Sequence, residues 1–500
     1  MAKYKYYDYS QSALIPVCLE EQIMPGTLEF AIHTLIETRL DMRIFEDRYN
    51  NDETGRWAYD PKVLLKVVLF AYSRGLISSR KIEKACRENV TFMALSCMQY
   101  PDHSTIAAFV SSMKEEILPL FRDVLLVCEE EDLLGGTVFA VDGCKLPSNA
   151  STRMSGTISE IGKKKERVEK KVRQLLEEQV AADKKGYTGD KEPTRRKYIE
   201  SLERKASVIE KWLKENKPKI GKQGREIKSN VTDNESGMMV GSHGVVQGYN
   251  AQALVDQKRQ VIVSGEAFGT GDDRHLIPPI LDGAKENMRA MGYGEDCLKG
   301  RRLLADSNYH SAVNLEKCEE EGLDAYIPDK DFRKRDPNFG NRPARRSSRV
   351  KRVRLEDFHY DEDNDVYICP EGKTLKLLTK KAIADGNIYR RYVSCEKDCD
   401  RCQLKRECIK RKNAKRRNLS VPVGPVPGNL TKPMAAKIDS DEGRRIYSQR
   451  LGIVEPVFAN IRTHKVMNRF TLRGKIKVNI QWLLYCMVHN IGKVMVYGFS

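Results

Sequence analysis

Three acidic side chains stand out by where they fall in the chain. Asp142 interrupts an apolar, β-branched run, TVFAVDGCKL; Asp306 ends a second such run, RRLLAD; and Glu455 lies in IYSQRLGIVEPVFANIRTHK, whose spacing is helical. A carboxylate at or near the end of a strand projects from a rigid sheet edge into a cleft. Carboxylates gathered about 4 Å apart repel one another by ~4 kcal/mol at an effective dielectric near 20, unless a cation lies between them. Hard oxygen donors of this kind suit Mg²⁺ or Mn²⁺. Two such ions roughly 3.5–4 Å apart can activate a water or a 3′-hydroxyl on one side of a phosphodiester and stabilise the leaving oxygen on the other. Taken singly, an Asp at a strand end more often serves a turn or a cap. Spacing alone does not join three acids so far apart in the chain.

A second grouping is Cys395, Cys399, Cys402 and Cys408, with Cys369 upstream in YICPEG. The C-x2-C step and its neighbours have the spacing of tetrahedral zinc sites. No second C-x2-C pair is present, and five cysteines exceed four coordination positions. Two readings stand side by side: a structural Zn²⁺ on Cys395, Cys399, Cys402 and Cys408 that stabilises its segment, or a reduced cluster without metal. His310 in NYHS and His489 in MVHN read as packed or capping histidines. Cys144, two residues after Asp142, has no base paired with it as a nucleophile requires.

The elements that must position these groups can be read from periodicity. From Tyr59 to Cys128 the pattern is helical, with Pro61 opening an apolar run that Gly75 ends, and PDHSTIAAFV starting a further helix with Ser104 or Thr105 as its cap. This region reads equally as a helix-turn-helix arrangement or as an ordinary helical bundle. After Gly136 the period becomes that of a strand. Two charged helical stripes follow, Ile161, Val168, Val172, Leu175 and Ile199, Leu202, Ala206, Ile209, Leu213, separated by Gly186, Gly189 and Pro193. They predict an antiparallel helical hairpin, whose plainest role is a solvated arm without chemistry. YNAQALVDQ and VIVSGEAFG form a hairpin-like pair turning at Lys258 and Arg259; RRLLAD, a helix stopped by Gly322, and DAYIPDK add strand, helix and strand. The fold class is therefore α/β with mixed strand directions.

Five hundred residues exceed one ordinary core, so several domains or a core with large insertions are expected. A formal charge of +17 and a pI near 9.2 favour a polyanionic partner through counterion release, nucleic acid first. The most apolar stretch, Val63 to Tyr72, is too short for a membrane span and carries Lys66. The start, MAKYKYYDYS, lacks the apolar region of a secretory signal, so the thirteen cysteines are expected as thiols or metal ligands in the cytoplasm.

Several phrases carry a family resemblance: YDPKVLLKVVLFAYSRGLISSRKIEKAC and PDHSTIAAF; AVDGCKLPSNAS around Asp142; TDNES and GYNAQALVD; LLADSNYHS around Asp306; and VEPVFANIRTHKVMNRFTLRGKIKV around Glu455. Together they resemble an insertion-sequence DDE transposase of the IS4-like and IS5-like grouping, nearly end to end. The resemblance implies a ribonuclease-H-like mixed-sheet core over 135–157, 221–331 and 420–500. A helical DNA-binding-type domain over 1–134 precedes it. A charged helical-hairpin insertion over 158–220 and a basic Cys-rich insertion over 332–419 interrupt it. It implies a bacterial enzyme, nucleoid-associated when bound, that cleaves element ends and transfers strands into target DNA with Mg²⁺ or Mn²⁺ on Asp142, Asp306 and Glu455. Partners would be double-stranded DNA, at element ends and target, and a second copy or a larger synaptic assembly; a membrane is not among them. Tyr447, Arg450 and Arg462 occupy places where the family holds DNA phosphates. The arginine-to-glutamate interval is one residue longer than in the IS4-like pattern, and Arg462 stands where lysine is common; a merely basic helix face is the plainer reading of both arginines. Two other activities remain open: a DNA-binding protein derived from such an enzyme, and a metal-dependent nuclease that cuts without joining.

Overall fold

The computed structural model describes residues 16–48, 57–183, 192–221, 224, 226–241, 244–339, 353–384, 387–409, 413–423 and 430–498. Gly186 and Gly189 of the hairpin turn lie outside these residues. In chain order, helix α1 (Leu28–Thr38) starts at Thr27, whose hydroxyl accepts the amide of Phe30. Helix α2 (Pro61–Ser73) starts at Asp60 with Pro61 in its first turn, where a missing N–H leaves no bond unmade. Every residue from Val63 to Tyr72 is buried, including Lys66, whose ammonium pairs with Glu37 of α1. Helices α3 (Ser79–Glu88), α4 (Val90–Leu95), α5 (His103–Ser112) and α6 (Ile117–Glu130) follow. The cap of α5 is Asp102, not Ser104 or Thr105: its carboxylate accepts the amides of both, at 2.8 and 2.9 Å.

Strand β1 (Val138–Pro147) leads into α7 (Ile158–Asp183) and α8 (Glu192–Glu215). Lys165 pairs with Glu210 and Arg195 with Glu178, so these two helices run antiparallel, joined by Val172, Leu175 and Ile199 and, nearer the sheet, by Ile161, Ile209 and Trp212. Next come β2 (Gly237–Gly241), β3 (Gly244–Asp256), β4 (Ile262–Phe268), α9 (Ile277–Ala290), β5 (Arg302–Ala305), α10 (Ala312–Glu320) and β6 (Asp324–Tyr326). After α11 (Phe332–Arg335) there are strands β7 (His359–Asp361), β8 (Val366–Ile368), β9 (Thr374–Ala384) and β10 (Asn387–Ser394). Short helices α12 (Glu396–Asp400) and α13 (Lys405–Cys408), strand β11 (Asn418–Pro422) and helices α14 (Thr431–Asp439), α15 (Asp441–Ala459) and α16 (Lys475–Tyr497) complete the chain.

The chain divides into two compact units, Met1–Tyr309 with Lys317–Ile327 and Arg444–Ser500, and His310–Glu316 with Pro328–Gly443. The first is mixed α/β. Its sheet runs β6-β5-β1-β3, with β4 and β2 both on the far edge of β3; β1, β3 and β4 are antiparallel neighbours, and β5 and β6 run parallel to β1. Helix α16, apolar and buried almost throughout, packs on β4 and also on α1, α2 and α6. A helix apolar all round must be covered on every side. Helices α1 to α6 thus lie in one unit with the sheet, through this helix. The second unit is the antiparallel meander β7-β8-β9-β10-β11 around Val353, Phe358, Leu375, Tyr392 and Leu419. It continues to Gly443. Among the described residues no helix is long and apolar enough to cross a membrane.

Candidate active site

Strand β1 is fully buried from Val138 to Val141, and the pattern breaks at Asp142 and Gly143. Asp142 is not at the end of this strand, which continues to Pro147; its parallel partner β5 is what stops there, at Ala305. The β1–β5 register runs Val138 with Arg302 through Val141 with Ala305. One step beyond this register come Asp142 and Asp306, near enough for the Asp306 charge to raise the Asp142 carboxyl. The turn after Asp306 is fixed locally: Asn308 donates from its backbone N to Oδ1 (2.8 Å) and from Nδ2 to Oδ2 (3.1 Å).

Asp142 is closely held. The Gly143 amide donates to Oδ1 at 2.8 Å, and Arg450 Nη1 of α15 donates to Oδ2 at 2.8 Å. Burial raises the Asp142 carboxyl above its ordinary value; the Arg450 guanidinium opposes this only in part, and the neighbouring Asp306 adds to it. Arg450 is 8 % exposed, and although burial works against its charge, Asp142, Tyr447 and Asp306 hold its pKa above normal. Its Nε is buried without a hydrogen-bond partner among the described residues.

The inward face of α15 carries Ile446, Arg450, Ile453, Val454 and Val457. Glu455 follows Arg450 by five residues, about 140° around the helix at ~100° per residue, and it is exposed. No hydrogen bond or ion pair joins it to Asp142 or Asp306 among the described residues. Arg462 lies in a π-turn, Asn460–His464, close enough to Cys144 to favour its thiolate. Cys144 is two residues along β1 from Asp142, hence on the same face; burial nevertheless pushes its thiol up to about 12, which leaves it inert as a nucleophile. Tyr447 is half-buried beside Arg450.

Pro456 inside α15 has no N–H for the carbonyl of Gly452 four residues back. That carbonyl instead accepts Gln260 Nε2 at 2.9 Å, from the β3–β4 turn, where Gln260 itself has φ 59°. The same turn receives α16: Lys493 Nζ donates to Gln260 Oε1 at 3.0 Å, and His489 Nε2 lies 2.9 Å from the Gln260 carbonyl. Burial drives His489 down to about 3, so it is neutral and structural. His310, in the second unit, is half-buried.

Four residues not singled out from the sequence underlie the acids. On the opposite face of β1, the space where Gly143 would carry a Cβ is filled by the side-chain amides of Gln252 and Asn250. Asp273, 9 % exposed, accepts Asn250 Nδ2 at 2.6 Å and Gln252 Nε2 at 3.2 Å. Gln252 Oε1 accepts the hydroxyl of Tyr309, and the Tyr309 amide closes the turn onto the Asp306 carbonyl at 3.1 Å. Burial, Asp306 and Asp142 raise the Asp273 carboxyl, against the Asn250 bond and Lys145. The signal was in the sequence: two carboxamides alternate with apolar residues in YNAQALVD, a central strand that otherwise excludes polarity.

Of the cysteines, Cys399, Cys402 and Cys408 line one small cavity with Cys369, whereas Cys395 is exposed at the start of α12. Among the described residues no three His, Cys, Asp or Glu side chains are disposed, as they stand, to hold an ion.

Two family models match the chain. The model described as "Transposase DDE domain" matches residues 368–495, a stretch that contains Tyr447, Arg450, Glu455 and Arg462 but neither Asp142 nor Asp306. The model described as "Transposase domain (DUF772)" matches residues 17–112, from before α1 to the end of α5. No curated protein matches the chain.

Proposed function

We propose that this chain, which belongs to the insertion-sequence DDE transposases, cleaves DNA at the ends of its element and joins the freed 3′ ends to target DNA. The observation that carries this reading is the register of β1 and β5, which makes neighbours of two acids 164 positions apart in the chain, with a buried arginine bonded to one of them. Three antiparallel strands followed by two parallel ones support a ribonuclease-H-like core.

Asp142 and Asp306 offer hard oxygen donors side by side, which fits Mg²⁺ or Mn²⁺. Glu455 is the third acid in this reading and has to come round from the exposed face of α15 to join them. The bound ions supply activation of the attacking oxygen and stabilisation of the leaving one. The protein's own part is positional and electrostatic. Gly143 N–H and Arg450 Nη1 fix the Asp142 carboxylate, and the Asn308 bonds fix that of Asp306. Tyr447, Arg450 and Arg462 are the residues that hold DNA phosphates in this reading; Arg450 Nε, buried with no hydrogen-bond partner among the described residues, reaches one only once DNA displaces what covers it. The partners are double-stranded DNA and a second copy of the chain.

The test compares wild type with Asp142→Asn on DNA carrying the element's own ends, with binding followed in parallel. Mg²⁺-dependent cleavage and joining by wild type, lost in the variant while binding persists, is the expected result. Cleavage without joined products would make the chain a nuclease. Binding with no cleavage under Mg²⁺ or Mn²⁺ would leave a DNA-binding derivative.

A further inference from the structure

The second unit has a five-stranded meander and a small core, in which Cys369, Leu404 and Cys408 pack beside the buried Leu375, Tyr392 and Leu419. Cores this small are usually reinforced by a disulfide or a metal. Among the described residues no cysteine is in a disulfide. We propose that Cys369, Cys399, Cys402 and Cys408 bind one structural Zn²⁺, tying the β8–β9 turn to the helical segment that follows β10, and that Cys395 is not a ligand.

The four residues come together from two separate stretches of chain. Cys369 ends β8 in a tight turn: its N–H donates to the Lys373 carbonyl at 2.8 Å, the Gly372 amide returns to the Cys369 carbonyl at 2.8 Å, and the Lys373 amide points at Cys369 Sγ at 3.3 Å. Gly372, with φ 71°, makes that turn. Cys402 is built in the same way, with the Leu404 amide directed at its sulfur. An amide aimed at a sulfur stabilises thiolate over thiol, which is the form a metal takes. Cys399 lies in α12 and Cys408 ends α13, and Ser394 Oγ lies 3.0 Å from Cys399 Sγ, positioned to donate to a thiolate. All four cysteines line a cavity of about 30 Å³, room for a single ion or water.

As thiols they do not converge on one point, as the absence of an ion-holding group among the described residues records. Capture requires the side chains to turn toward a common point, by rotation about their Cα–Cβ bonds, until the sulfurs reach a Zn–S distance of about 2.3 Å. A dication among four thiolates would offset the repulsion of like charges packed so closely. Cys395 is excluded by position, exposed at the N-terminus of α12 and outside the cavity, although its sequence spacing made it the more obvious ligand.

The experiment measures zinc per chain by plasma mass spectrometry on the full-length protein, for wild type, Cys369→Ser, Cys402→Ser and Cys395→Ser. One equivalent is expected in wild type and Cys395→Ser, with loss in the other two. If the Ser variants precipitate, Co²⁺ exchange into wild type decides, because four-thiolate tetrahedral Co²⁺ has stronger sulfur charge-transfer and ligand-field bands than a site of three or fewer thiolates. Wild type without zinc and without a tetrahedral Co²⁺ spectrum would overturn the proposal. Zinc kept by Cys369→Ser but lost by Cys395→Ser would overturn it equally. Neither result bears on the acids of the first unit.

Discussion

Replacing Arg450 by Met should reveal what the guanidinium does for Asp142. The pair is close, 2.8 Å, with the Arg450 side chain 9 % and the Asp142 side chain 24 % exposed. Deleting one member of a fully buried pair costs about 3–5 kcal/mol, and Asp142 retains some solvent, so about 2–3 kcal/mol is expected in metal-free buffer. Two effects then separate. Without Arg450, the carboxyl rises further, because only the Gly143 amide then opposes burial and Asp306. A divalent cation should now take the guanidinium's place and stabilise the folded state by ~2.7 kcal/mol at a concentration of about 100 times its dissociation constant. In wild type the cation meets a positive charge already in position, so it stabilises less. Urea denaturation followed by tryptophan fluorescence, with EDTA or with Mg²⁺, reads both numbers; Trp482 is buried in α16 and bonded to the Gln252 carbonyl at 2.9 Å. The gap between variant and wild type should be about 2–3 kcal/mol in EDTA and should largely close in Mg²⁺. Adding Asp142→Asn to the Arg450 variant should recover much of the loss and abolish the Mg²⁺ response. The reasoning is refuted if Arg450→Met is as stable as wild type without metal, or if Mg²⁺ stabilises both equally.

The remaining predictions concern the scaffold around the acids. Gly143→Ala drives a methyl into the Gln252 and Asn250 amides and should cost about 1–3 kcal/mol, less in a Gln252→Ala background, where urea midpoints would show the relief. Tyr309→Phe leaves Gln252 Oε1 without its hydroxyl donor and should cost about 1–3 kcal/mol; an unchanged midpoint would remove Tyr309 from the network. Gln260→Ala frees the Gly452 carbonyl opposite Pro456, and hydrogen exchange should show lost protection in α15 with α9 unaffected. His489 titrates at about 3 in the fold, below the ordinary value of 6.5, so at pH values between these the unfolded chain binds the extra proton. Stability from this residue is therefore full above 6.5 and falls on acidification, by ~1.4 kcal/mol per pH unit, a slope that His489→Gln should flatten.

What the sequence revealed and what it hid follow one physical division. A charge inside an apolar run is visible because strands have a period of two and tolerate few exceptions, so Asp142 and Asp306 stand out in the sequence, and the β3–β4 hairpin and both arms of the α7–α8 pair were legible in it. The partner of a charge is not visible, because partnership is a matter of register and of helix phase. Only the parallel pairing of Val141 with Ala305 makes neighbours of the two acids, and only the phase of α15 decides that Arg450 faces inward while Glu455 faces out. Asp273 was hidden for the same reason: in the loop phrase GTGDDRH it reads as a turn residue, and its meaning comes from the amides of β3 that reach it. The cysteines give the sharpest case. Sequence proximity favours Cys395, four residues before Cys399, but the cavity that Cys399, Cys402 and Cys408 line takes in Cys369, from a turn thirty residues away, and not Cys395. Short spacing raises the prior for a metal site without choosing its fourth ligand, which is why exchanging Cys369 and Cys395 as targets discriminates between a site read along the chain and a site read across it.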